Sequence, residues 1–90
     1  MTQETKYFPV FLDLRGAAVL VVGAGKVAER KIGKLLAHGA RLTVVAGEFS
    51  APVRGIAERG EVRVIRSPFR PEHLDGMDLA FAATSDPAAN

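Results

Sequence analysis

The sequence has 90 residues, 48% of them hydrophobic and 24% charged, which is typical of a small globular domain rather than a disordered chain. Twelve basic and ten acidic side chains leave a net charge of +2, and the basic residues are scattered, so no nucleic-acid partner is expected. The absence of cysteine excludes disulfides, thiolate zinc sites and thiol nucleophiles. The polar start and the short apolar runs predict no secretion signal, no membrane partner and a cytoplasmic location.

The first part of the chain predicts an extended segment, a buried strand and a helix. Residues 7–14 (YFPVFLDL) are predicted to form an edge strand or a covering arm, because Pro9 cannot donate a hydrogen bond within a central strand. The apolar run over 17–22 (AAVLVV) is typical of a strand buried on both faces of a parallel sheet. Apolar residues at helical spacing then predict a helix over 26–38, which Gly39 ends.

The remaining elements follow from the same two periodicities. In chain order they are a strand over 41–46, a helix over 51–59 capped by Ser50, a more exposed strand over 61–65, an irregular stretch or single turn over 67–76, a fourth strand over 78–83 and a helix opened by residues 84–87. Alternating strands and helices predict an α/β fold, with one Rossmann-like parallel sheet of about four strands and flanking helices.

The chain shows no internal repeat and no linker, so residues 1–90 are expected to form one domain. The last predicted helix has about one turn before the sequence stops, and one turn is not stable alone. We therefore expect this domain to be the N-terminal part of a longer protein, truncated at its C-terminus.

A glycine-rich loop joins the first predicted strand to the first predicted helix. Residues 22–28 (VGAGKVA) match the GxGxxG/A pattern, which in this position predicts a dinucleotide-binding site. Gly23 permits the tight turn, Gly25 lets a pyrophosphate approach the backbone, and Ala28 lets the helix pack closely on the sheet. The free amides and the positive end of the helix dipole would bind the anion. Lys26 either neutralises phosphate charge or points into solvent, and a turn that serves only packing is the alternative interpretation of the loop.

The position that recognises the adenosine ribose lacks its usual residue. The dinucleotide fingerprint expects an acidic residue about 20 positions after the loop, at the end of the second strand, where it binds the ribose 2′-hydroxyl. Residues 45–47 (VAG) contain no acid there. Glu48 follows and either reaches the ribose or is a solvated loop charge. The residues alone leave the choice between NAD and NADP open.

Three further polar residues follow the fourth predicted strand at its carboxyl end, where ligands of open parallel sheets bind. Thr84 and Ser85 are therefore candidate contacts on the nicotinamide side of the cofactor. Ser85 or Asp86 as a helix N-cap is an alternative that is compatible with this role. His38 is interpreted as a helix C-terminal residue, and His73 as a loop residue, because its spacing matches no metal-ligand motif.

Four segments together resemble the N-terminal module of the siroheme synthase family, that is, precorrin-2 dehydrogenase/sirohydrochlorin ferrochelatase: FPVFLDLRG, VLVVGAGKVAERKIGKLLAHGA, LTVVA and AATSDPAAN. The resemblance covers residues 7–90, and its GxGxVAxRK signature is more specific than a generic glycine loop. It implies an enzyme that oxidises precorrin-2 to sirohydrochlorin with NAD⁺ as the hydride acceptor. Many members of the family then insert Fe²⁺ to make siroheme.

The resemblance also implies roles for particular residues. Lys26 and Val27 match loop positions that bind NAD through the backbone. Gly47 and Glu48 match the pair that holds the adenosine ribose, although Gly47 stands where proline is frequent. Residues 84–86 match a strand-end segment near the cofactor.

The catalytic half of the family lies outside this sequence. The family's key aspartate is on the next strand, past Asn90, so the catalytic residues are expected there and residues 1–90 should be inactive alone. The full-length protein is expected to act on precorrin-2 as a homodimer, with Fe²⁺ as a second substrate in chelating members. Two other interpretations remain: a non-catalytic NAD(H)-sensing regulatory domain, which usually carries the acid after the second strand, and a degenerate fold that serves as an interaction module.

Overall fold

The fold is seen in a computed structural model that describes residues 11–83. Its elements, in chain order, are β1 (Ala18–Val22), α1 (Lys26–Ala37), β2 (Arg41–Ala46), α2 (Ala51–Glu58), β3 (Val62–Arg66), a 3₁₀ helix (Pro71–Leu74) and β4 (Leu79–Ala82). Each helix and strand predicted between residues 17 and 83 is present, with ends that differ by at most one residue. Residues 11–14, predicted as part of an edge strand or arm, form no strand, and residues 7–10 and the helix opened by 84–87 lie outside the described range.

The four strands are all parallel and lie in the order β3-β2-β1-β4, which confirms the predicted fold class. The chain moves from β1 to β2 to β3 on one side and then returns to place β4 on the other side of β1. The strand order therefore reverses between β1 and β4, where open α/β sheets bind their ligands. Val22 is in register with Val45 and Ala82, so these three strands end at the same edge.

The centre of the sheet is covered on both faces. Val19, Leu20 and Val21 are consecutive residues of β1 and all three are fully buried. Because successive side chains of a strand point to opposite faces, neither face of β1 is open to solvent. The apolar stripe of α1 packs in the same buried cluster as β1, through Ala28, Ile32 and Leu35.

The end of α1 and the start of α2 have the stop and cap residues that the sequence predicts. Gly39 follows α1 with a φ of +81°, and the ring Nδ1 of His38 lies 2.7 Å from the carbonyl oxygen of Lys34. At the start of α2, the hydroxyl of Ser50 accepts a long hydrogen bond of 3.4 Å from the backbone N–H of Val53. Within residues 11–83, neither helix has the length and apolarity needed to cross a membrane.

Candidate functional site

The turn from β1 into α1 is made at Gly23. Its φ is +115°, a conformation that residues with a side chain rarely adopt. The backbone N–H of Gly23 donates a 2.8 Å hydrogen bond to the carbonyl oxygen of Val45 in β2. The loop is therefore tied to the neighbouring strand at the carboxyl edge of the sheet.

The N-terminus of α1 is open. Gly25 is the N-cap residue, and no side chain caps the helix there. The first backbone N–H to bond within the helix is that of Glu29, which donates to the carbonyl of Gly25 at 2.9 Å. The amides of residues 26–28 precede it and have no partner inside the helix. A Cβ placed on Gly25 would meet no atom within 4 Å other than those of its chain neighbours, so the N-cap position is open to an anion.

The other predicted loop residues divide into a buried one and two exposed ones. Ala28 is fully buried between α1 and the sheet, as expected for the small third residue of the fingerprint. Lys26 and Val27 are exposed. An anion at the helix N-terminus would contact the backbone amides of these two residues, and this contact does not depend on their side chains.

The loop between β2 and α2 faces the glycine loop. The backbone N–H of Ser50 donates to the carbonyl of Ala24 at 3.0 Å and joins the two loops. A cleft of about 290 Å³ lies between them, lined by Ala24, Gly25, Glu48, Phe49 and Ser50. Glu48 and Gly25 thus line the same cleft, whereas Gly47 does not line it. The volume of this cleft is at the lower end of the range for ligand pockets, so the cleft has room for part of a dinucleotide.

Two functional candidates were not found from the sequence, Phe49 and Arg66. Phe49 is partly buried against the core and also lines a second cleft of about 320 Å³, together with Arg54, Ala57, Glu58, Val64 and Arg66. The guanidinium carbon of Arg66 lies 5.8 Å from the centroid of the Phe49 ring, which is cation–π geometry. Arg66 could have been identified from its position at the end of a strand that lies next to β2. Using that position requires the order of the strands in the sheet, which the sequence alone does not show.

The carboxyl end of β4 is described only as far as Ala83. This residue is 2% exposed, and its backbone N–H donates to the carbonyl of Val22 at 2.8 Å. The chain therefore leaves β4 directly beside the end of β1. The predicted contacts Thr84 and Ser85 lie outside the described residues.

The described residues also offer no alternative metal site. Between residues 11 and 83, no three His, Asp or Glu side chains come together where they could hold a metal ion. The ring Nδ1 of His73 accepts a 3.0 Å hydrogen bond from the backbone N–H of Arg70, which gives this histidine a structural role. The Arg15 guanidinium hydrogen-bonds Asp13 at 2.8 Å and lowers the pKa of that exposed carboxyl, but neither residue lines the cleft at the glycine loop.

Comparisons with known proteins agree with this geometry. The model of a family described as "Putative NAD(P)-binding" matches residues 10–90. A siroheme synthase of Chromobacterium violaceum is 48% identical over 85 residues, which are 94% of this chain and 18% of that protein. A siroheme synthase of Neisseria meningitidis serogroup C is 44% identical over 84 residues, 93% of this chain and 18% of that protein.

A solved structure is similar in fold as well as in sequence. The structure of SirC, a precorrin-2 dehydrogenase, matches with a TM-score of 0.84 and 40% identity, covering 93% of this chain and 42% of that chain. The resemblance to siroheme synthase predicted from the sequence is therefore confirmed. The chain spans about a fifth of the length of the curated relatives it matches.

Proposed function

This chain belongs to the family described as "Putative NAD(P)-binding", and from that premise we propose that its glycine loop holds the pyrophosphate of NAD. We further propose that it is the cofactor-binding part of an NAD-dependent precorrin-2 dehydrogenase. The names of the similar proteins, siroheme synthase and precorrin-2 dehydrogenase, support this substrate.

The observation that carries the proposal is the open N-terminus of α1. Three amides without helical partners face a space that Gly25 leaves free of side-chain atoms. A diphosphate is small and doubly charged, and the helix dipole adds its positive end to these donors. Buried Ala28 holds the helix against the sheet, so the donors keep their position when the ligand arrives.

The two halves of the cofactor would extend to either side of this point. The adenosine half fits the cleft beside Glu48 and Phe49, where the Glu48 carboxylate accepts a hydrogen bond from a ribose hydroxyl. The nicotinamide half extends over the ends of β1 and β4, towards Thr84 and Ser85. When bound, NAD⁺ supplies the hydride acceptor for the oxidation of precorrin-2 to sirohydrochlorin.

The complete protein is proposed to contain more than this domain. Its catalytic residues are expected beyond Asn90, since the described residues at the cleft provide binding groups and no positioned acid–base pair. The resemblance to siroheme synthase supports a complete protein that is a homodimer in the cytoplasm. This protein would act as an oxidoreductase on precorrin-2 and as a ferrochelatase (a lyase) that inserts Fe²⁺.

Nucleotide binding is the first test. NAD⁺ and NADH are titrated against the 90-residue chain. The shift in melting temperature is measured for the wild type, Gly25→Asp and Gly33→Asp. Gly33 is an exposed glycine of the same helix, also with no atom near its Cβ position, so it controls for the added charge. We expect binding to be lost in Gly25→Asp and kept in Gly33→Asp.

The outcomes separate the three interpretations. Equal binding by Gly25→Asp and the wild type would show that the cofactor site is elsewhere. Binding by the complete protein without oxidation of precorrin-2 would indicate a regulatory NAD(H)-sensing domain. A wild-type chain that is folded by circular dichroism and binds neither nucleotide would indicate an interaction module.

A further inference from the structure

Arg66 ends the edge strand β3 beside the position that normally distinguishes dinucleotides. It is in register with Ala46, the last residue of β2, so the two Cα atoms are neighbours across adjacent strands. Ala46 is where the dinucleotide fingerprint expects the carboxylate that binds the ribose 2′-hydroxyl. In this chain that strand end has a methyl group, and the neighbouring strand end has a guanidinium.

The structure holds this guanidinium near the cleft. The backbone N–H of Ser67 donates a 3.1 Å hydrogen bond to the carbonyl of Ala46, which fixes the end of β3 to β2. The guanidinium carbon of Arg66 lies 5.8 Å from the centroid of the Phe49 ring, and Phe49 lines the cleft at the glycine loop. Arg66 therefore lies against the loop between β2 and α2, on the adenosine side of the proposed site.

No carboxylate among residues 11–83 accepts a hydrogen bond from the Arg66 guanidinium. Within residues 11–83, the guanidinium–carboxylate ion pairs are those of Arg15 with Asp13 and of Arg59 with Glu61. The contact with Phe49 is an attraction between the guanidinium charge and the face of the aromatic ring, and the guanidinium carries five N–H donors. These donors form a planar fork that matches phosphate oxygens.

We propose that Arg66 is a specificity-determining residue that lets this site accept a 2′-phosphorylated dinucleotide, NADP(H), in addition to NAD(H). This inference rests on the proposed function of the cleft. In sites of this fold, a carboxylate at the end of β2 binds the 2′-hydroxyl and repels a phosphate, whereas a nearby arginine accommodates the phosphate. Ala46 removes the repulsion from that strand end, and Arg66 supplies the attraction.

Glu48 bears the opposite charge and directly precedes Phe49 in the sequence. It lines the cleft that contains Gly25, whereas Arg66 lines the second cleft, and Phe49 belongs to both. Glu48 serves the 2′-hydroxyl of NAD(H) and Arg66 the 2′-phosphate of NADP(H). The site therefore carries a group for each nucleotide, which is why the proposal is acceptance of both.

The test compares dissociation constants of NADH and NADPH for the full chain and three variants. Arg66→Gln removes the charge, Arg66→Lys keeps it without the planar fork, and Arg63→Gln removes a charge from the same strand. Arg63 is exposed and is in register with Thr43, away from the strand end, so it is the matched control.

We expect the wild type to bind NADPH within about tenfold of NADH. Arg66→Gln should weaken NADPH binding about tenfold or more, as for the loss of charge-assisted hydrogen bonds, and change NADH binding less than about twofold. Arg66→Lys should restore part of the NADPH affinity, and Arg63→Gln should bind both nucleotides like the wild type.

The proposal is overturned if the wild type binds NADH but not NADPH, or if Arg66→Gln affects the two nucleotides equally. Circular dichroism of each variant shows whether a loss reflects misfolding, and an Arg66→Gln chain with wild-type stability keeps the comparison valid. If the folded wild type binds neither NADH nor NADPH, the proposed function itself is wrong. If the wild type binds NADH and does not bind NADPH, only the proposal about Arg66 is wrong.

Discussion

The backbone N–H of Gly23 and the carbonyl oxygen of Val45 are joined by a 2.8 Å hydrogen bond across the carboxyl edge of the sheet. This bond fixes the start of the glycine loop to the end of β2, and a second bond, from Ser50 N–H to the Ala24 carbonyl at 3.0 Å, fixes the next residue to the opposite loop. The two loops that line the cleft are thus held together by the protein's own backbone hydrogen bonds. Preformed sites lose less conformational entropy on binding.

Replacing Gly23 by alanine should destabilise the fold. Its φ of +115° is strained for any residue with a Cβ, at a cost of about 1–3 kcal/mol. For a domain of this size, each kcal/mol lowers the melting temperature by about 4–8 °C. Thermal unfolding followed by circular dichroism measures the change.

Gly47→Ala is the matched control for this prediction. Gly47 is a loop glycine without positive φ, and a Cβ there would meet nothing within 4 Å. Its replacement should leave stability unchanged or raise it by about 0.4–1 kcal/mol, because alanine has less freedom in the unfolded chain. Equal losses for Gly23→Ala and Gly47→Ala would contradict the role given to the φ of Gly23.

Replacing Gly25 by aspartate should separate stability from binding. Gly25 is an N-cap with extended backbone and open space at its Cβ position, so the side chain fits without strain. Aspartate at an N-cap accepts hydrogen bonds from the first-turn amides and is about as good a cap as any residue. It would therefore occupy the donors that the pyrophosphate needs.

We expect Gly25→Asp to be at least as stable as the wild type, and to bind NADH at least tenfold more weakly. Chemical denaturation measures the first quantity and titration calorimetry the second. A variant that loses stability and binding together would point to a structural defect instead of a blocked anion site.

The sequence was sufficient for the parts of the fold that local patterns determine. The apolar run of β1, the helical spacing of α1 and the cap at Ser50 are all encoded within a few neighbouring residues, and the structure has each of them where predicted. The glycine loop was found for the same reason, because Gly23 and Gly25 lie at a strand-to-helix junction.

Contacts between distant segments could not be predicted in this way. Arg66 meets Phe49 because β3 pairs with β2 in a register that aligns Ala46 with Arg66. Nothing in the local sequence of β3 gives that register, since its pattern of mostly exposed residues constrains pairing weakly. Residues 11–14, predicted as part of an edge strand or a covering arm, form no strand, because a locally extended pattern does not determine whether a segment pairs with the sheet.

Enlarging Ala28 should weaken both the fold and the site. Ala28 is fully buried where α1 approaches the sheet, and the extra methyl groups of Ala28→Leu have no space in a packed interior. Overpacking of this kind costs about 1–3 kcal/mol. Because α1 must move away from the sheet, the amides at its N-terminus should also bind NADH less well.

Val27→Leu is the control, since Val27 is the adjacent residue and is 44% exposed. It should change stability by less than about 0.5 kcal/mol. Urea denaturation and NADH titration of both variants test the prediction. Wild-type affinity in a destabilised Ala28→Leu chain would show that the position of α1 does not limit binding.

Neutralising Glu48 should shift the preference between the two nucleotides in the direction opposite to Arg66→Gln. Glu48 is exposed and lines the cleft beside Gly25, so Glu48→Gln is expected to leave the fold intact. Loss of a charged acceptor for a ribose hydroxyl should weaken NADH binding by about 1.5–3 kcal/mol at most. Removal of a negative charge near a 2′-phosphate should strengthen NADPH binding, and more so at low ionic strength, where screening is weak. Fluorescence titrations of both nucleotides at two salt concentrations measure these changes, and unchanged constants for both would show that Glu48 is a solvated loop charge.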